Sequence, residues 1–578
     1  MNIKSTISRS ITRSIQSIDK YPMVIIGAFL FMMITIIRIQ VEIEEEQVRF
    51  LYDCMQMSLA AGISFSLFST AYLKKKVQAV KYGHIMTVIV LILAFVLLYF
   101  FSRGDVKDYY RLRVTDIAGA RLFVWILICQ IGFIVFLKKR SFGEALFIFM
   151  KSMVIAFVYG AVLMSGTTGV AGAVQGLLYN DMSEKVYMHL SAIVSFMTFT
   201  IFIGNFPDLD GSVQDYTASA NKPKAVEILL TYIVIPIILS LSMVLLLWIG
   251  KAIFLGEWPS FNIVMGIVTS YIFFGVWLYL LVADDSSGLT VNYRKIYPVI
   301  SLLILIFGLW SFVRHLSNDG FRNQEYFFSL LLLIGITIML LILIKKESSQ
   351  DWIPILLVVV MMFSIGPKVG YHQLPVGIEI DRLEGILREE GMFENQIISE
   401  KSSISDEMKI QITQSVQYIS NARDAKLPSW FDRDFDDNSR FKEVFGFEKT
   451  WSNRDFKYND YVYLHLTGDS HDISDYDYAV YMEGQEALLK TDQHDYKFVW
   501  YHDSKSLELY QDDELILEET MDEYFEGLRD ELEGTSEVMS HKINRDNLEI
   551  MLVFKYVNIS LGEEVDIYSE IKVIYFKE

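Results

Sequence analysis

VVVMMFSIGPKVGYHQ, residues 358–373, marks the change between two halves of the chain that differ sharply in composition. Residues 1–371 are mostly apolar and hold 30 Lys and Arg against 23 Asp and Glu, whereas residues 372–578 hold 21 against 47. The net charge of -19 therefore combines a mildly basic apolar half with a strongly acidic polar half. The quoted stretch either completes a last passage through a membrane or dips in and returns, and this choice decides which side the acidic half occupies.

The apolar half predicts a polytopic membrane domain. A helix needs about 20 predominantly apolar residues to cross a hydrocarbon core about 30 Å thick. Candidate spans lie at residues 22–39, 51–73, 84–101, 118–137, 144–164, 186–206, 227–250, 262–282, 297–314, 325–344 and 352–371. The expected fold class is therefore a membrane all-α helical bundle of about 11 transmembrane helices over residues 1–371, followed by a soluble α+β domain.

The acidic half predicts two helices followed by an antiparallel sheet. Apolar residues recur at helical spacing between 378 and 387 and between 408 and 419, which indicates a helical linker region over residues 372–458. Residues 459–578 form the acidic soluble α+β domain of this prediction. Runs rich in aromatic and β-branched residues predict its strands at 461–466, 478–482, 496–501, 506–510, 548–557 and 566–576, with one helix at about 519–532.

The distribution of Lys and Arg between alternate loops predicts the orientation. With the N-terminus inside, the cytoplasmic loops collect the basic segments 74–81, 138–140, 222–224, 294–295 and 345–346, as the positive-inside rule requires. The loop RGDVKDYYRLRVTD, residues 103–116, places several basic residues on the other side and weakens the bias. Eleven crossings put the C-terminal domain outside the cytoplasm, and a re-entrant segment at 352–371 would put it inside.

Three stretches of the apolar half resemble motifs of a bacterial membrane family, DUF4153. GEWPSFNIV (256–264), NDGFRNQEYFFSLLLL (318–333) and WIPILLVVVMMFSIGP (352–367) follow the order of that family's Gly-Glu-Trp-Pro turn, short loop into a span, and span ending in Phe-Gly-Pro. The last motif reads Ser-Ile-Gly-Pro in this chain. The resemblance covers roughly residues 190–510 and implies a multi-pass protein of the bacterial cell (plasma) membrane, with no established activity. The residues that match the two proline motifs are Gly256, Glu257, Trp258, Pro259, Gly366 and Pro367.

Ionisable residues far from the ends of a span are the first place to look for function in a membrane domain. Lys151 is the clearest of these and is the candidate intramembrane functional residue, either as a substrate or counter-ion contact or as a packed lysine paired with a carbonyl or carboxylate. The glycine-rich segment 160–176 predicts close helix contact or a Gly-rich turn, with a re-entrant pore or substrate loop as the alternative. Pro236 lies within a span and predicts a kink.

Sequence patterns for nucleotide, metal and redox chemistry are missing. Walker A, GxGxxG, HExxH and CxxC motifs do not occur in the chain. DRDFDDNSRFKE (432–443) matches the ligand positions of a calcium loop, but Asp437 stands where the sharp turn needs glycine, which favours an acidic solvated turn. The sequence therefore predicts no catalytic residue, no cofactor and no metal. Membrane lipid and an unknown protein or envelope partner are the expected partners, and the acidic half argues against nucleic acid.

Three functions remain open from the sequence. The first is an envelope-associated binding or sensor-type protein that uses its acidic C-terminal domain, and the second is a transporter or transporter-accessory protein. The third is an integral-membrane enzyme acting on lipid or polymer precursors, for which loop 103–116 is the only dense polar candidate. The scarcity of ionisable residues in the spans favours the first function and a non-enzymatic role.

Overall fold

The structure is a computed structural model of the chain. It describes residues 18–40, 46–73, 77–104, 112–209, 213–256, 258–451, 461–465, 473–482, 484–491, 493–502, 504–522, 524–525, 540–545, 548–560 and 567–577. Glu257, half of the polar loop 103–116 and most of the helix predicted at 519–532 lie outside these residues. Where that helix was expected to begin, residues 519 and 520 belong to a strand instead.

The apolar half forms a bundle of long helices. Its helices α1 to α12 are Pro22–Gln40, Glu46–Leu73, Val77–Phe101, Asp116–Leu137, Phe142–Leu177, Lys185–Gly204, Val213–Ala220, Lys224–Leu255, Phe261–Leu281, Gly288–Asp319, Asn323–Lys345 and Ser349–Ser364. Among the described residues, ten helices are long and apolar enough to cross a membrane, namely all but α7 and α12. The predicted membrane bundle is therefore confirmed, and its last member is a shorter apolar helix of 16 residues.

Large apolar side chains cover the outside of this bundle. Phe157 on α5, Leu247 on α8 and Phe273 on α9 are 73%, 69% and 63% exposed. Such a surface would associate in water, but lipid tails are as apolar as these side chains and solvate them. The chain is accordingly a multi-pass membrane protein.

Glycines allow neighbouring helices to approach closely at some positions of the bundle. A Cβ on Gly275 of α9 would lie 2.1 Å from the Tyr297 hydroxyl of α10, and one on Gly160 of α5 would lie 2.5 Å from the Thr198 hydroxyl of α6. Gly160 is the first residue of the glycine-rich segment 160–176, so the close helix contact predicted for that segment is present there, and α5 continues through the segment as a regular helix to Leu177. The re-entrant alternative for this segment is wrong, and a Cβ on Gly176 would meet nothing within 4 Å.

Helix α12 and the turn after it contain the stretch at 358–373. At its start, Lys138 pairs with Asp351, and the amide of Gly143 donates to the Gln350 side chain over 3.1 Å. After its end, the Tyr326 hydroxyl, from the first turn of α11, donates to the carbonyl of Val369 over 2.7 Å. Helix α12 thus runs antiparallel to α11 from one end of the bundle to the other.

The predicted eleventh span is too long at its C-terminal end. The helix stops at Ser364, and the chain closes a tight turn in which the amide of Tyr371 donates to the Ser364 carbonyl over 2.9 Å. A Cβ on Gly370 would lie 2.4 Å from the Gly366 carbonyl oxygen, so this turn needs glycine there. Pro367 lacks an amide proton and could not have continued the helix regularly.

Pro236 distorts α8 as predicted, through a π-helical turn. Residues Leu229–Val234 form the π segment directly before this proline. Proline removes one helical hydrogen bond and crowds the carbonyl four residues earlier, and a wider turn relieves both problems. The segment buries Leu230 and Thr231 and places the Thr231 hydroxyl 3.0 Å from Asp285.

The acidic half combines short helices with antiparallel sheets, which confirms the α+β class. Helices α13 to α15 are Leu374–Glu389, Asp406–Asn421 and Asn438–Phe445, and a small hairpin pairs β1 (Phe393–Glu394) with β2 (Ile397–Ile398). Strands β3 to β11 are Tyr461–His465, Tyr478–Tyr481, Glu486–Lys490, Asp495–Tyr501, Ser506–Gln511, Glu514–Thr520, Ser540–Arg545, Leu548–Ser560 and Ile567–Lys577. One sheet has the order β3-β10-β11-β4 with β9 on β10, and the other has the order β5-β6-β7-β8.

The two larger sheets share one hydrophobic core. Phe498 and Leu509 of the four-stranded sheet pack in the same buried cluster as Ile550, Phe554 and Ile574 of the five-stranded sheet. The chain divides into two compact units, Met1–Ile397 with Gln417–Phe435 and Ile398–Val416 with Asp436–Glu578. The region expected as a linker, residues 372–458, is therefore shared between the two units.

The acidic segment 432–443 contains the start of a helix. Asp437 is the N-cap of α15, and its carboxylate accepts from the amides of Ser439 and Arg440 at 3.0 and 3.1 Å. An N-cap carboxylate satisfies amides that have no partner in the first turn of a helix. Asp437 therefore has a structural role at the position where a calcium loop requires glycine.

Candidate functional site

A polar cavity of about 770 Å³ opens at one end of the helical bundle. It lies where α4, α7 and α9 end and where α5 and α8 begin, so its walls come from three chain segments, 140–144, 217–231 and 281–285. We call this cavity the polar pocket. Its polar and charged lining residues are Arg140, Glu144, Thr217, Asn221, Lys222, Glu227, Thr231, Asp284 and Asp285.

Asp285 has the most hydrogen-bond partners among the acidic residues of the polar pocket. Its carboxylate accepts from the hydroxyls of Thr290 and Thr231 at 2.8 and 3.0 Å and from the amide of Ser287 at 3.0 Å. Burial raises the pKa of the Asp285 carboxyl, but these hydrogen bonds outweigh burial and hold that pKa below its ordinary value. Asp285 is therefore a fixed negative charge.

Lys222 supplies a half-buried positive charge to the same pocket. Its ammonium donates to the Leu281 carbonyl over 2.6 Å, at the end of α9. Burial lowers the pKa of the Lys222 ammonium, while the nearby carboxylates, Asp285 first, oppose this shift. Burial has the larger effect, so the pKa of the Lys222 ammonium lies below its ordinary value. The charged ammonium therefore loses part of its solvation in the pocket.

Carboxylates outnumber cations in the lining of the polar pocket. Glu144, Glu227, Asp284 and Asp285 face Arg140 and Lys222. The guanidinium of Arg140 is 3.9 Å from the carboxylate of Glu144, which makes this ion pair a loose one. The lining therefore carries a surplus of negative charge.

A second cavity of about 700 Å³ continues the polar pocket toward the start of α12. The two cavities share Arg140, Glu144, Asp284 and Asp285. Arg294 lies in the second cavity and clamps the α9–α10 turn, donating to the carbonyls of Ala283 and of Asp285 (2.9 Å to the latter). This clamp explains why an exposed turn can hold its aspartates in fixed positions.

Buried tyrosines fill the bundle beyond the floor of the polar pocket. Tyr293 and Tyr297 follow Thr290 by one and two turns of α10, and both are 0% exposed. The Tyr293 hydroxyl donates to the Gly275 carbonyl over 2.8 Å, and the Tyr271 hydroxyl lies 2.7 Å from the Ser242 hydroxyl. These buried rings pack the bundle next to the α9–α10 turn, and none of the three tyrosines lines the polar pocket.

Lys151, the residue singled out by the sequence, lies beside the polar pocket and does not line it. Its ammonium donates to the carbonyls of Ser219 and Asn221 at 3.0 and 3.2 Å and lies 5.9 Å from the centre of the Phe147 ring. These contacts hold the turn that brings Asn221 and Lys222 into the pocket. This geometry corresponds to the alternative in which Lys151 is packed and paired with a carbonyl. Lys151 therefore acts on the pocket only by holding this turn in place.

The described residues that match the family motifs are not among those that line the polar pocket. Gly256 ends α8 in the left-handed conformation, with φ +73°. The Trp258 ring packs edge-on against Trp310 with centroids 4.2 Å apart, and the Arg314 guanidinium lies over it at 5.4 Å. These contacts, like the turn of Gly366 and Pro367, fix the ends of helices.

A second polar cluster lies at the opposite end of the bundle. Glu379 of α13 is fully buried and pairs with Arg322 and Arg382 at 3.6 and 3.7 Å. Next to it, His315 lies 3.0 Å from Glu325, which also accepts from the Arg322 amide at 3.0 Å. This network ties α13 to the α10–α11 turn and is a structural element of the bundle.

Sequence reasoning missed most of the polar pocket. Arg140, Lys222 and Arg294 were used only to predict the orientation of the spans. The aspartates of ADDSSG (283–288) were not singled out. A usable signal was present in this loop, because two adjacent acids stand on the side where the positive-inside rule expects basic residues.

Comparison with known proteins finds no matching family model, no matching curated protein and no matching solved structure. The resemblance to the DUF4153 family therefore stays a prediction. Any functional conclusion depends on the chemistry of the chain's own residues.

Acidification is expected to remove the contribution of Asp285 to stability. Because the folded pKa of Asp285 is lowered, this contribution is complete above the unfolded pKa of about 4 and is lost as the pH falls through the lower folded value. The difference in thermal unfolding midpoint between the wild type and Asp285→Asn should therefore shrink below about pH 4. A difference that stays constant from pH 7 to pH 3 in detergent would contradict this assignment.

Proposed function

We propose that this chain is an envelope-associated, sensor-type binding protein of a bacterial plasma membrane, and that it binds a small organic cation in the polar pocket. The surplus of carboxylates around a preformed cavity is the observation that supports this function most strongly. A cavity of about 770 Å³ is in the size range of small-molecule sites. Burial by the surrounding helices strengthens the attraction between a bound cation and these carboxylates.

An organic cation fits the polar pocket better than a metal ion. Among the described residues, no group of three or more His, Cys, Asp or Glu side chains is arranged to hold a metal. The pocket instead offers dispersed carboxylates together with the hydroxyl and amide groups of Thr217 and Asn221. Such a lining suits an amine that donates several hydrogen bonds in different directions.

Ligand binding is expected to depend on Asp284. Putrescine, spermidine or L-lysine should raise the thermal unfolding midpoint of the purified full-length protein, and succinate should not. Asp284→Asn should weaken the binding of the effective amine by about tenfold, because one charge-assisted hydrogen bond is lost. Isothermal titration with wild type and variant measures this ratio.

The matched control for this experiment is Asp181→Asn. Asp181 is an exposed aspartate in the loop between α5 and α6, at the other end of the bundle. The Asp181→Asn protein should bind the amine as tightly as the wild type. Equal stabilisation by succinate, or equal loss in both variants, would contradict the proposed ligand class.

The proposed orientation places the N-terminus in the cytoplasm and the C-terminal domain outside. The end of the bundle that holds the polar pocket also holds Lys138, Arg140, Lys222, Arg294 and Lys345, which supports its assignment to the cytoplasmic side. The path of α12 from this end to the opposite end supports an extracytoplasmic position for the residues that follow it.

Reporter fusions test this orientation directly. An alkaline phosphatase fused after residue 372 or at the C-terminus is expected to be active, because this enzyme folds only outside the cytoplasm. A green fluorescent protein at the same positions should remain dark, and one fused in the 346–348 turn should fluoresce. The reverse pattern would place the acidic domain in the cytoplasm and overturn the orientation.

The π segment of α8 favours a transporter as the second candidate function. Transporters often bind their substrates where a helix is interrupted, and here the π segment presents Thr231 to Asp285 in the polar pocket. A transporter would move the effective amine into vesicles reconstituted with the purified protein. A binding protein would take up no more amine than its own molar amount.

A further inference from the structure

A second cleft opens between α1, α2 and α6, and its chemistry differs from that of the polar pocket. Its inner part has a volume of about 760 Å³ and is lined mainly by apolar side chains, among them Phe31, Met32, Ile63 and Phe196. Its outer part, a polar mouth of about 720 Å³, shares Thr35, Ile39 and Met188 with the inner part. An apolar chamber with a charged entrance is the shape that an amphipathic molecule fills.

The walls of the inner part are less polar than their sequence suggests. The hydroxyl of Ser64 donates to the Ala60 carbonyl over 2.9 Å, and that of Ser191 donates to the Tyr187 carbonyl over 2.8 Å. Both hydroxyls are therefore occupied by their own helices. The surface that remains for an occupant is formed by methyl, methylene, thioether and aromatic groups.

The depth of the cleft corresponds to one leaflet of a bilayer. Lys185 lines the mouth and Phe199 lines the inner part, and these two residues are fourteen positions apart on α6, which corresponds to about 21 Å along the helix. Half of a bilayer of about 40–45 Å, headgroup regions included, is about 20–22 Å. An acyl chain that entered beside the mouth would therefore find apolar contacts along its whole length.

The mouth carries charges of both signs. Arg38 lines it with its side chain 28% exposed, and its guanidinium pairs with Asp53 at 2.9 Å and with the Gln56 side chain. A guanidinium has five N–H donors, so these two partners leave donors that a phosphate can use. Lys185 and Glu184 line the same mouth, and Glu184 is exposed.

We propose that this cleft is a binding site for one zwitterionic phospholipid with an ammonium headgroup. Its acyl chain lies in the chamber between α1, α2 and α6, its phosphate binds Arg38 and Lys185, and its ammonium group binds Glu184. Among the residues that line the mouth, the two cations and the carboxylate match the phosphate and the ammonium of a phosphoethanolamine headgroup, while Asp53 lies outside the lining and shares Arg38. This site is separate from the polar pocket and its mouth lies at the opposite end of the bundle.

Native mass spectrometry of the purified full-length protein tests the acyl-chain part of this proposal. The wild type should retain one phosphatidylethanolamine at collision energies that strip the remaining lipid. Ala60→Phe fills the inner part of the cleft and should abolish this retention. Val162→Phe makes the same kind of change on the exposed face of α5, at a residue 67% exposed, and should have no effect.

Variants of the mouth test the headgroup part. Glu184→Gln, at an exposed position where folding is not at risk, should weaken phosphatidylethanolamine binding about tenfold and should not weaken phosphatidylglycerol binding. Lys185→Gln should weaken both lipids. Equal affinity of the wild type for the two lipids, retention by Ala60→Phe, or the same thermal stabilisation by inorganic phosphate or by a fatty acid alone would each overturn the proposal.

Discussion

Replacing Glu379 with alanine is expected to lower the free energy of unfolding of the helical bundle by about 3–5 kcal/mol. Glu379 is fully buried on α13, and its carboxylate lies 3.6 Å from Arg322 and 3.7 Å from Arg382. Without it, two half-buried guanidinium groups remain near each other without the carboxylate between them, and their mutual repulsion adds to the loss of the ion pairs. The loss should appear as a shift of the unfolding transition in mixed detergent micelles with increasing SDS.

The same helix provides the matched control. Glu384 pairs with Arg388 at 2.6 Å on the surface of α13, and its side chain is 31% exposed. Glu384→Ala removes a surface pair four residues apart and should cost less than about 1 kcal/mol. If both variants shifted the transition equally, the buried network around Glu379 would contribute no more to stability than a surface ion pair.

Hydropathy was sufficient for the bundle, because crossing a hydrocarbon core imposes a length and an apolarity that no other context requires. It was less reliable at the ends of helices. The glycines of α5 did not interrupt that helix. The turn from Gly366 to Tyr371 was mistaken for a continuation of helix α12. Local turn geometry and packing decide such ends, and neither leaves a periodic signal.

Strand prediction in the acidic half failed at the less apolar strands. The strands β5, β8 and β9 were missed, and β5 and β8 are the two edges of their sheet. Only Ala487, Leu517 and Ile543 of these three strands are buried. Edge strands expose charged residues to discourage pairing with other chains, so they lack the aromatic and β-branched enrichment by which the central strands were recognised.

The polar pocket could not be assembled from the sequence because its residues come from separate turns. Lys151 was noticed since it stands alone in an apolar span, while Lys222 and Asp285 stand in loops where charge is ordinary. Their importance comes from the convergence of the ends of α4, α7 and α9 with the starts of α5 and α8 at one place. That convergence is set by helix packing and by buried contacts such as the one at Gly143.

Replacing Gly143 with alanine is expected to destabilise the bundle and to disturb the polar pocket together. A Cβ at this position would lie 2.2 Å from the backbone carbonyl oxygen of Leu280 and 3.3 Å from the side-chain oxygen of Gln350. Since the carbonyl belongs to the last turn of α9, the start of α5 and the end of α9 must move apart. Overpacking of this kind costs about 1–3 kcal/mol.

The displacement should also weaken ligand binding, because Glu144 follows Gly143 directly and Asp284 lies four residues after Leu280. Gly166→Ala is the control on the same helix, since a Cβ there would meet nothing within 4 Å and alanine favours helix. It should leave both the unfolding transition and amine binding unchanged or slightly improve stability. A Gly143→Ala protein that is destabilised but binds the amine with wild-type affinity would show that the helix ends do not position the acidic residues of the pocket. The turns alone would then hold the pocket, through the contacts of Arg294 and Lys151.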